Sequence, residues 1–261
     1  MTGVMVQGRA TAAPAQHETT QTQTRDEPLR LTLLGGFELR HGGEQVELPA
    51  SAQRLVAFLA IRARPLQRLH VAGSLWLDAP EERANAALRT ALWRSRRRGC
   101  PLVDARGPSI GLAPGVEVDL HASARLARTV LESPPRKIVE LAGLDHVWAN
   151  GELLPDWYDD WVLIERERHR QLRLHALEAL CEALTVAGRH GEAIEAGIAA
   201  VASEPLRESA HRVLICVHLA EGNVAEALRQ YRLFGELLRD QLGLDPSARL
   251  RELIERAVTL R

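Results

Sequence analysis

No stretch of these 261 residues reaches 18 uninterrupted apolar positions, so a membrane-spanning helix is not expected. The start of the sequence lacks the basic-then-apolar layout of a secretory signal, and the expected location is the cytoplasm. Cysteine is scarce. Cys100, Cys181 and Cys216 are odd in number and far apart, which argues against a disulfide framework or a zinc site and reads as reduced, mostly buried thiols. Lysine is nearly missing: Lys137 is the only one, so arginine carries the basic charge, a bias that a GC-rich genome alone would produce. Catalytic signatures are missing too. There is no GxxxxGK[ST] phosphate loop, no HExxH and no CxxC. His169 and His175, and likewise His211 and His218, fall on helices without a convergent carboxylate at metal spacing, and read as surface or packing histidines. No enzyme activity, cofactor or metal is therefore expected.

What remains is ordinary globular material, 46% apolar and 26% charged, long enough for one large domain or two smaller ones. The formal net charge of −1 hides an asymmetry. From Arg30 to Leu120 there are 13 basic and 9 acidic residues, and from His121 to Arg261 there are 18 basic and 22 acidic. Local charge decides whether a phosphate backbone is attracted, so the first block is the candidate for nucleic acid and the second for protein.

Residues 1–28 are polar, rich in Thr and Gln and aperiodic, and are expected to be disordered. A folded block over 29–120 follows. Leu31, Leu33, Phe37 and Leu39 read as one strand across the Gly35–Gly36 break, and Gln45 to Leu48 as a second. Ser51 is the expected N-cap of a first helix that runs to about Ala63 and is stopped by Pro65. Leu69 to Leu77 form a second helix. Pro80 or Glu81 opens a third, which Gly99 and Pro101 terminate, and Val103 to Leu112 fold back as a hairpin around Arg106 to Ser109.

The third helix carries the most informative pattern. At 100° per residue, Ala84, Leu88, Ala91, Leu92 and Ser95 share one side. Arg83, Thr90, Trp93, Arg94 and Arg97 lie opposite, with Arg89 and Arg96 on the flanks. An apolar inner stripe beneath an arginine-rich outer face suits the major groove of DNA, where arginine forks onto guanine O6 and N7. A solvated charged face has the same pattern, and the neighbouring elements decide between the two. Over 121–261, Gly188, Glu192, Ala193 and Ile194 recur 34 residues later as Gly222, Glu226, Ala227 and Leu228, and Leu180 recurs as Leu214. That period is the signature of tetratricopeptide-like helix pairs, which stack because each leaves an apolar face that only its neighbour covers.

The ordered set LRLTLLGGFELRHGGEQVELP, AQRLVAFLAI, LHVAGSLW, ALRTALWRSRRR and GLAPGVEVDL resembles an OmpR/PhoB-type winged helix, and more closely the Streptomyces antibiotic regulatory protein class of activators. The segments LLPDWYDDWVLIERERHRQLRLHALEAL and YRLFGELLRDQLGLDPSARLRELIERA resemble that family's bacterial transcriptional activation domain. The resemblance spans roughly residues 30–258. It implies an α+β, mostly α fold: a winged helix-turn-helix domain followed by a tetratricopeptide-like helical domain. It also implies an activator that binds promoter direct repeats as a homodimer or tandem pair, recruits RNA polymerase and controls a secondary-metabolite gene cluster. The missing phosphate loop sets the chain apart from larger family members that add an ATPase module.

If the third helix enters the major groove, Arg89, Thr90, Trp93, Arg94 and Arg97 are the expected reading or groove-facing set, Arg83 and Arg96 are further expected DNA contacts, and Arg106 is the wing residue. Trp93 replaces a small or polar residue. It either packs on a sugar or thymine methyl or folds back onto the sheet. Ser95 replaces an inward Leu, which weakens the inner seam below Arg96 to Arg98, and Ile110 stands where Tyr is frequent. Gln53 and Arg54 either meet a flanking phosphate or lie in solvent. Trp76 reads as core. Asp78 and Glu81 lie in the region that faces polymerase in the family, and Leu77 replaces a common Gly. The Asp159–Asp160 pair reads as a cap of the following long helix. A rival reading from another class is a scaffold whose repeats hold a peptide or small effector and whose N-terminal block docks protein instead of DNA.

Overall fold

The computed structural model describes residues 28–96, 101–105, 107–141 and 151–259. Alternating leucines build the first sheet. In β1 (Leu29–Thr32), Leu29 and Leu31 are buried while Arg30 between them is exposed. β2 (Glu38–His41) returns antiparallel with Leu39 opposite Leu31, and β3 (Glu44–Gln45) pairs with β2. The single strand expected across Gly35–Gly36 is thus two strands. The break is real because Leu33 and Leu34 leave the ladder to donate their N–H groups to the Asp119 carboxylate, at 2.9 and 3.0 Å. The strand expected over Gln45–Leu48 shortens to Glu44–Gln45, and Gln53 Nε2 instead donates to the Leu48 carbonyl at 2.8 Å. β7 (Val116–Val118), unanticipated from sequence, runs parallel to β1 and completes the order β3-β2-β1-β7.

Helix α1 (Ala50–Arg62) is buried almost all round from Leu55 to Ala60 and is central to the first core. Ser51, the N-cap expected from sequence, is not the cap. Pro49 holds that position, its carbonyl accepting the N–H groups of Ala52 and Gln53, and Ser51 already lies inside the helix. Proline is pre-set for this entry because its φ is fixed near the required value. Then come β4 (Leu66–Gln67), α2 (Arg68–Leu75), α3 (Glu81–Ser95), and the hairpin of β5 (Val103–Asp104) and β6 (Ser109–Leu112). β4 joins the hairpin's outer edge in a second sheet of order β4-β6-β5, placing Leu66 opposite Ile110. This is a winged helix-turn-helix arrangement.

A helical block follows: α4 (Asp119–Glu132), α5 (Pro135–Glu140), α6 (Asp160–Val186), α7 (His190–Ser203), α8 (Glu208–Ala220), α9 (Val224–Leu242) and α10 (Ala248–Thr259). The 34-residue period is visible in three dimensions. Gly188 and Gly222 both end a helix with positive φ, at 74° and 84°, a conformation that costs glycine nothing. Leu180 and Leu214, like Ala193 and Ala227, are buried at matching places. Ala127, Val130 and Ile138 of α4 and α5 cover the exposed side of the first pair, and Phe234, Leu250 and Ile254 form a separate distal core.

The packing does not divide at residue 120. Leu153, Leu154, Trp161 and Val162 belong to the first core. Trp157 stacks on Phe37 and Trp161 packs edge-on to Phe58, with ring centroids 6.1 and 5.1 Å apart. Backbone bonds fasten the same stretch: Gly35 N–H donates to Glu152 O at 2.7 Å and Leu154 N–H to Leu33 O at 2.9 Å.

Candidate nucleic-acid interface

Helix α3 is built to present one face. Pro80 opens it, and Glu81 and Glu82 occupy its first turn, where negative charge favours the helix dipole. Ala84, Leu88, Ala91 and Ser95 are buried and Leu92 is half-buried, so the inner stripe is the one the periodicity gives. Arg83, Arg89, Thr90, Trp93, Arg94 and Arg96 are all exposed. Arg83 and Arg89 form no ion pair or side-chain hydrogen bond among the described residues. Trp93 is 72% exposed, which removes the alternative that it folds back onto the sheet. Thr90 Oγ1 donates to Ala86 O at 3.1 Å, which leaves its methyl and the acceptor side of its hydroxyl on offer. Arg94 leans toward α1, its Nη1 3.3 Å from Ser51 Oγ, so α1 and α3 are tied together on the outer surface.

The helix ends earlier than Gly99 and Pro101 suggest. Ser95 is the last helical residue and Arg96 is extended, with φ −72° and ψ 125°. The Ser95 hydroxyl turns back to the Leu92 carbonyl at 2.8 Å, so an inward polar group competes for the helix's own backbone where a leucine would pack. Arg96 therefore follows the helix instead of riding on its last turn. Arg97 and Arg106, also expected at the interface, lie outside the described residues.

Arg54 and Gln53, expected either at a flanking phosphate or in solvent, both make bonds within the protein. Arg54 reaches Asp159 with Nε at 2.9 Å and with Nη2, linking α1 to the start of α6 across 105 residues. Asp159 occupies the N-cap position of α6 as expected, but its side chain makes no cap bond because Arg54 holds it. Trp76 packs against the first core from the end of α2, and Ile110 is fully buried, so neither is a surface contact. Asp78 and Glu81 are exposed at the opposite end of α3 from Arg94, as is Leu77. At 1.5 Å per residue Glu81 and Arg94 lie about 20 Å apart along α3, while Arg83 shares the first turn with Glu81.

Three supporting residues carry no sequence signal because each reaches partners outside its own element. Arg68 donates to the wing carbonyls of Gly107 at 3.0 Å and Ala105 at 3.5 Å. Asp119 accepts from Leu33, Leu34 and Leu120; burial raises its carboxyl above the ordinary value despite those three donors. Arg166 gathers the carbonyls of Leu153, Leu154 and Trp157, closing the turn that seats the tryptophans. Among the described residues no group of His, Cys, Asp or Glu is arranged to hold a metal ion, and no helix is long and apolar enough to cross a membrane.

Comparison with known proteins agrees with this architecture. The family model described as bacterial transcriptional activator domain matches residues 119–257. Regulatory protein AfsR of Streptomyces coelicolor is 30% identical over 239 residues, which is 87% of this chain and 24% of AfsR, so the chain spans about a quarter of that relative. Regulatory protein DnrI of Streptomyces peucetius is 26% identical over 248 residues, covering 86% of this chain and 90% of DnrI. The structure of Mycobacterium tuberculosis EmbR in complex with a low affinity phosphopeptide shares the fold, with a TM-score of 0.66 over 90% of this chain and 66% of that one at 22% identity. With more than half of its length matched by the family model, the chain belongs to the bacterial transcriptional activator domain family, as a regulator of the Streptomyces antibiotic regulatory protein type.

Proposed function

We propose that the chain is a sequence-specific DNA-binding activator that sets α3 in the major groove of promoter direct repeats and recruits RNA polymerase. The observation that carries this reading is the outer face of α3. Two arginines without partners among the described residues, a threonine and a largely exposed tryptophan stand on a helix whose inner stripe is locked in a core. Arginine forks onto guanine specify sequence, and the remaining cations neutralise phosphates. Asp78 and Glu81, at the far end of α3, are the proposed polymerase contacts. The helical block supports a homodimer or tandem pair on DNA. Activation on this reading is recruitment: contacts with polymerase raise promoter occupancy and no bond is made or broken. Secondary-metabolite genes are the expected targets by resemblance to the family.

The experiment is a pull-down of genomic fragments by the purified chain at 150 mM salt, with sequencing of what is retained. Promoters sharing a spaced direct repeat are the expected yield; no enriched site would sink the proposal. Titrating the best fragment against salt should give a log–log slope near −0.9 per phosphate neutralised, whereas a flat response from 50 to 200 mM would count against a phosphate-based interface.

A further inference from the structure

A cleft of about 320 Å³ opens where the end of α1, the start of α4 and the middle of α6 meet. That volume is at the small end of the roughly 300–1,000 Å³ usual for small-molecule sites. Part of its lining is apolar, from Ile61, Leu120, Ala124 and Leu172. Two histidines also line it, and each has one ring nitrogen already engaged: His121 Nε2 lies 2.7 Å from Ala60 O and His169 Nε2 lies 3.0 Å from Ser123 Oγ. Burial, with a smaller push from Arg173, holds His169 down at about 4, so it brings no charge at neutral pH.

The exposed part of the lining is cationic. Arg125, Arg128 and Arg168 all border the cleft, against one carboxylate, Glu165. Glu165 is already shared, with Arg168 at 2.8 Å and Arg62 at 3.9 Å. Arg125 and Arg128 have no side-chain partner among the described residues. Three residues apart on α4, they stand on one face a turn from each other. A cationic rim without its counter-charge above an apolar floor fits an anion with an apolar body; a bare inorganic ion would leave the floor uncovered.

We propose that this cleft binds a small organic anion, a carboxylate or phosphate monoester with an apolar body, and thereby braces the winged-helix domain against the helical block. The guanidiniums fork onto the anionic oxygens and the body lies on Ile61, Leu120 and Leu172. The coupling is built into α1. Its C-terminal end supplies Ile61 and Ala63 to the cleft, while its first turn carries Ser51, the acceptor for Arg94 of α3. Occupancy therefore acts at the far end of the helix that supports the DNA-facing one.

The test is titration calorimetry of the full chain with octanoate and with phenyl phosphate, set against acetate, inorganic phosphate, 1-octanol and an oligoglutamate peptide. At least one of the two amphipathic anions should bind saturably, about ten-fold or more tighter than acetate, inorganic phosphate or octanol; which of the two wins identifies the head group. Two variants should each weaken it by about ten-fold or more: Arg125→Glu with Arg128→Glu, which reverses the charge at two exposed rim positions, and Ala124→Leu, which keeps every charge and fills the floor. Unliganded melting temperatures verify that both variants fold. The proposal is overturned by no saturable binding of either anion, by equal binding of inorganic phosphate, by binding that survives both variants, or by tighter binding of the peptide, which would make the rim a protein-docking surface. The readout is direct ligand binding, so its failure leaves the DNA-binding reading untouched.

Discussion

At the residue scale, α3 separates side chains that hold the fold from side chains that are free to act. Arg89 is exposed and unpartnered among the described residues, so Arg89→Ala should leave the melting temperature unchanged. Affinity for a selected promoter fragment should fall by about 1–3 kcal/mol, with specificity relaxed at one base pair, as read by fluorescence anisotropy across single-base variants of the site. An unaltered affinity would remove Arg89 from the reading set. Trp93→Ala belongs to the same experiment. An indole that is 72% exposed contributes little to the core, so DNA affinity should drop while stability holds. Had it packed inward, the same change would cost about 3–5 kcal/mol of stability. Sequence alone could not choose, because Trp is accommodated both in cores and on nucleic-acid surfaces, and the helical wheel puts Trp93 beside Arg94 in either case.

At the scale of elements, the helical block depends on small residues where helices approach and on one buried polar pair. A Cβ at Gly197 in α7 would lie 3.1 Å from Leu214 Cδ1 of α8 and 3.4 Å from Cys181 Sγ of α6. Gly197→Val should destabilise the chain by about 1–3 kcal/mol in urea titration, since a packed core resists added methyls. No loss would mean the three helices can part without cost. Between α4 and α6, His169 Nε2 pairs with Ser123 Oγ, and burial sets the His169 folded-state pKa at about 4, below an unfolded value of 6.5. The unfolded chain thus binds the proton more tightly. Stability linked to His169 is complete above about pH 6.5 and is lost as pH falls toward 4, by at most about 3 kcal/mol at 1.36 kcal/mol per unit. His211 is lowered by burial too and adds in the same direction. Comparing urea midpoints of the parent and His169→Gln at pH 7 and pH 4.5 isolates the term: the variant should show the smaller difference, and equal differences would exclude His169 as a source.

At the scale of the whole molecule, the winged helix and the helical block share a core and an ion pair. Arg54 and Asp159 have side chains 35% and 22% exposed, so solvent screens their attraction and a double-mutant cycle should give a modest coupling of about 0.5–1 kcal/mol, smaller at high salt. The larger share of the joint comes from Trp157 and Trp161 against Phe37 and Phe58. One cooperative unfolding transition is therefore expected in calorimetry, in place of two. Two well-separated transitions would show that the shared core does not couple the blocks.

The sequence by itself determined the elements whose logic is local. The 3.6-residue stripe of α3, the hairpin between Val103 and Leu112 and the 34-residue spacing of Gly188 and Gly222 each follow from neighbours within a few turns or from a repeat. Tertiary structure decided what distant partners decide. Whether Gly35–Gly36 breaks a strand depends on Asp119, some 85 positions on. Arg54, legible as a phosphate ligand at a helix start, is claimed by Asp159 across 105 residues. β4 and β7 are two and three residues long, too short for any periodicity, and exist only because β6 and β1 offer them an edge. Nor is the α1–α4–α6 cleft written in any one segment, since its apolar and cationic lining comes from stretches about 60 and 40 residues apart that only packing brings together.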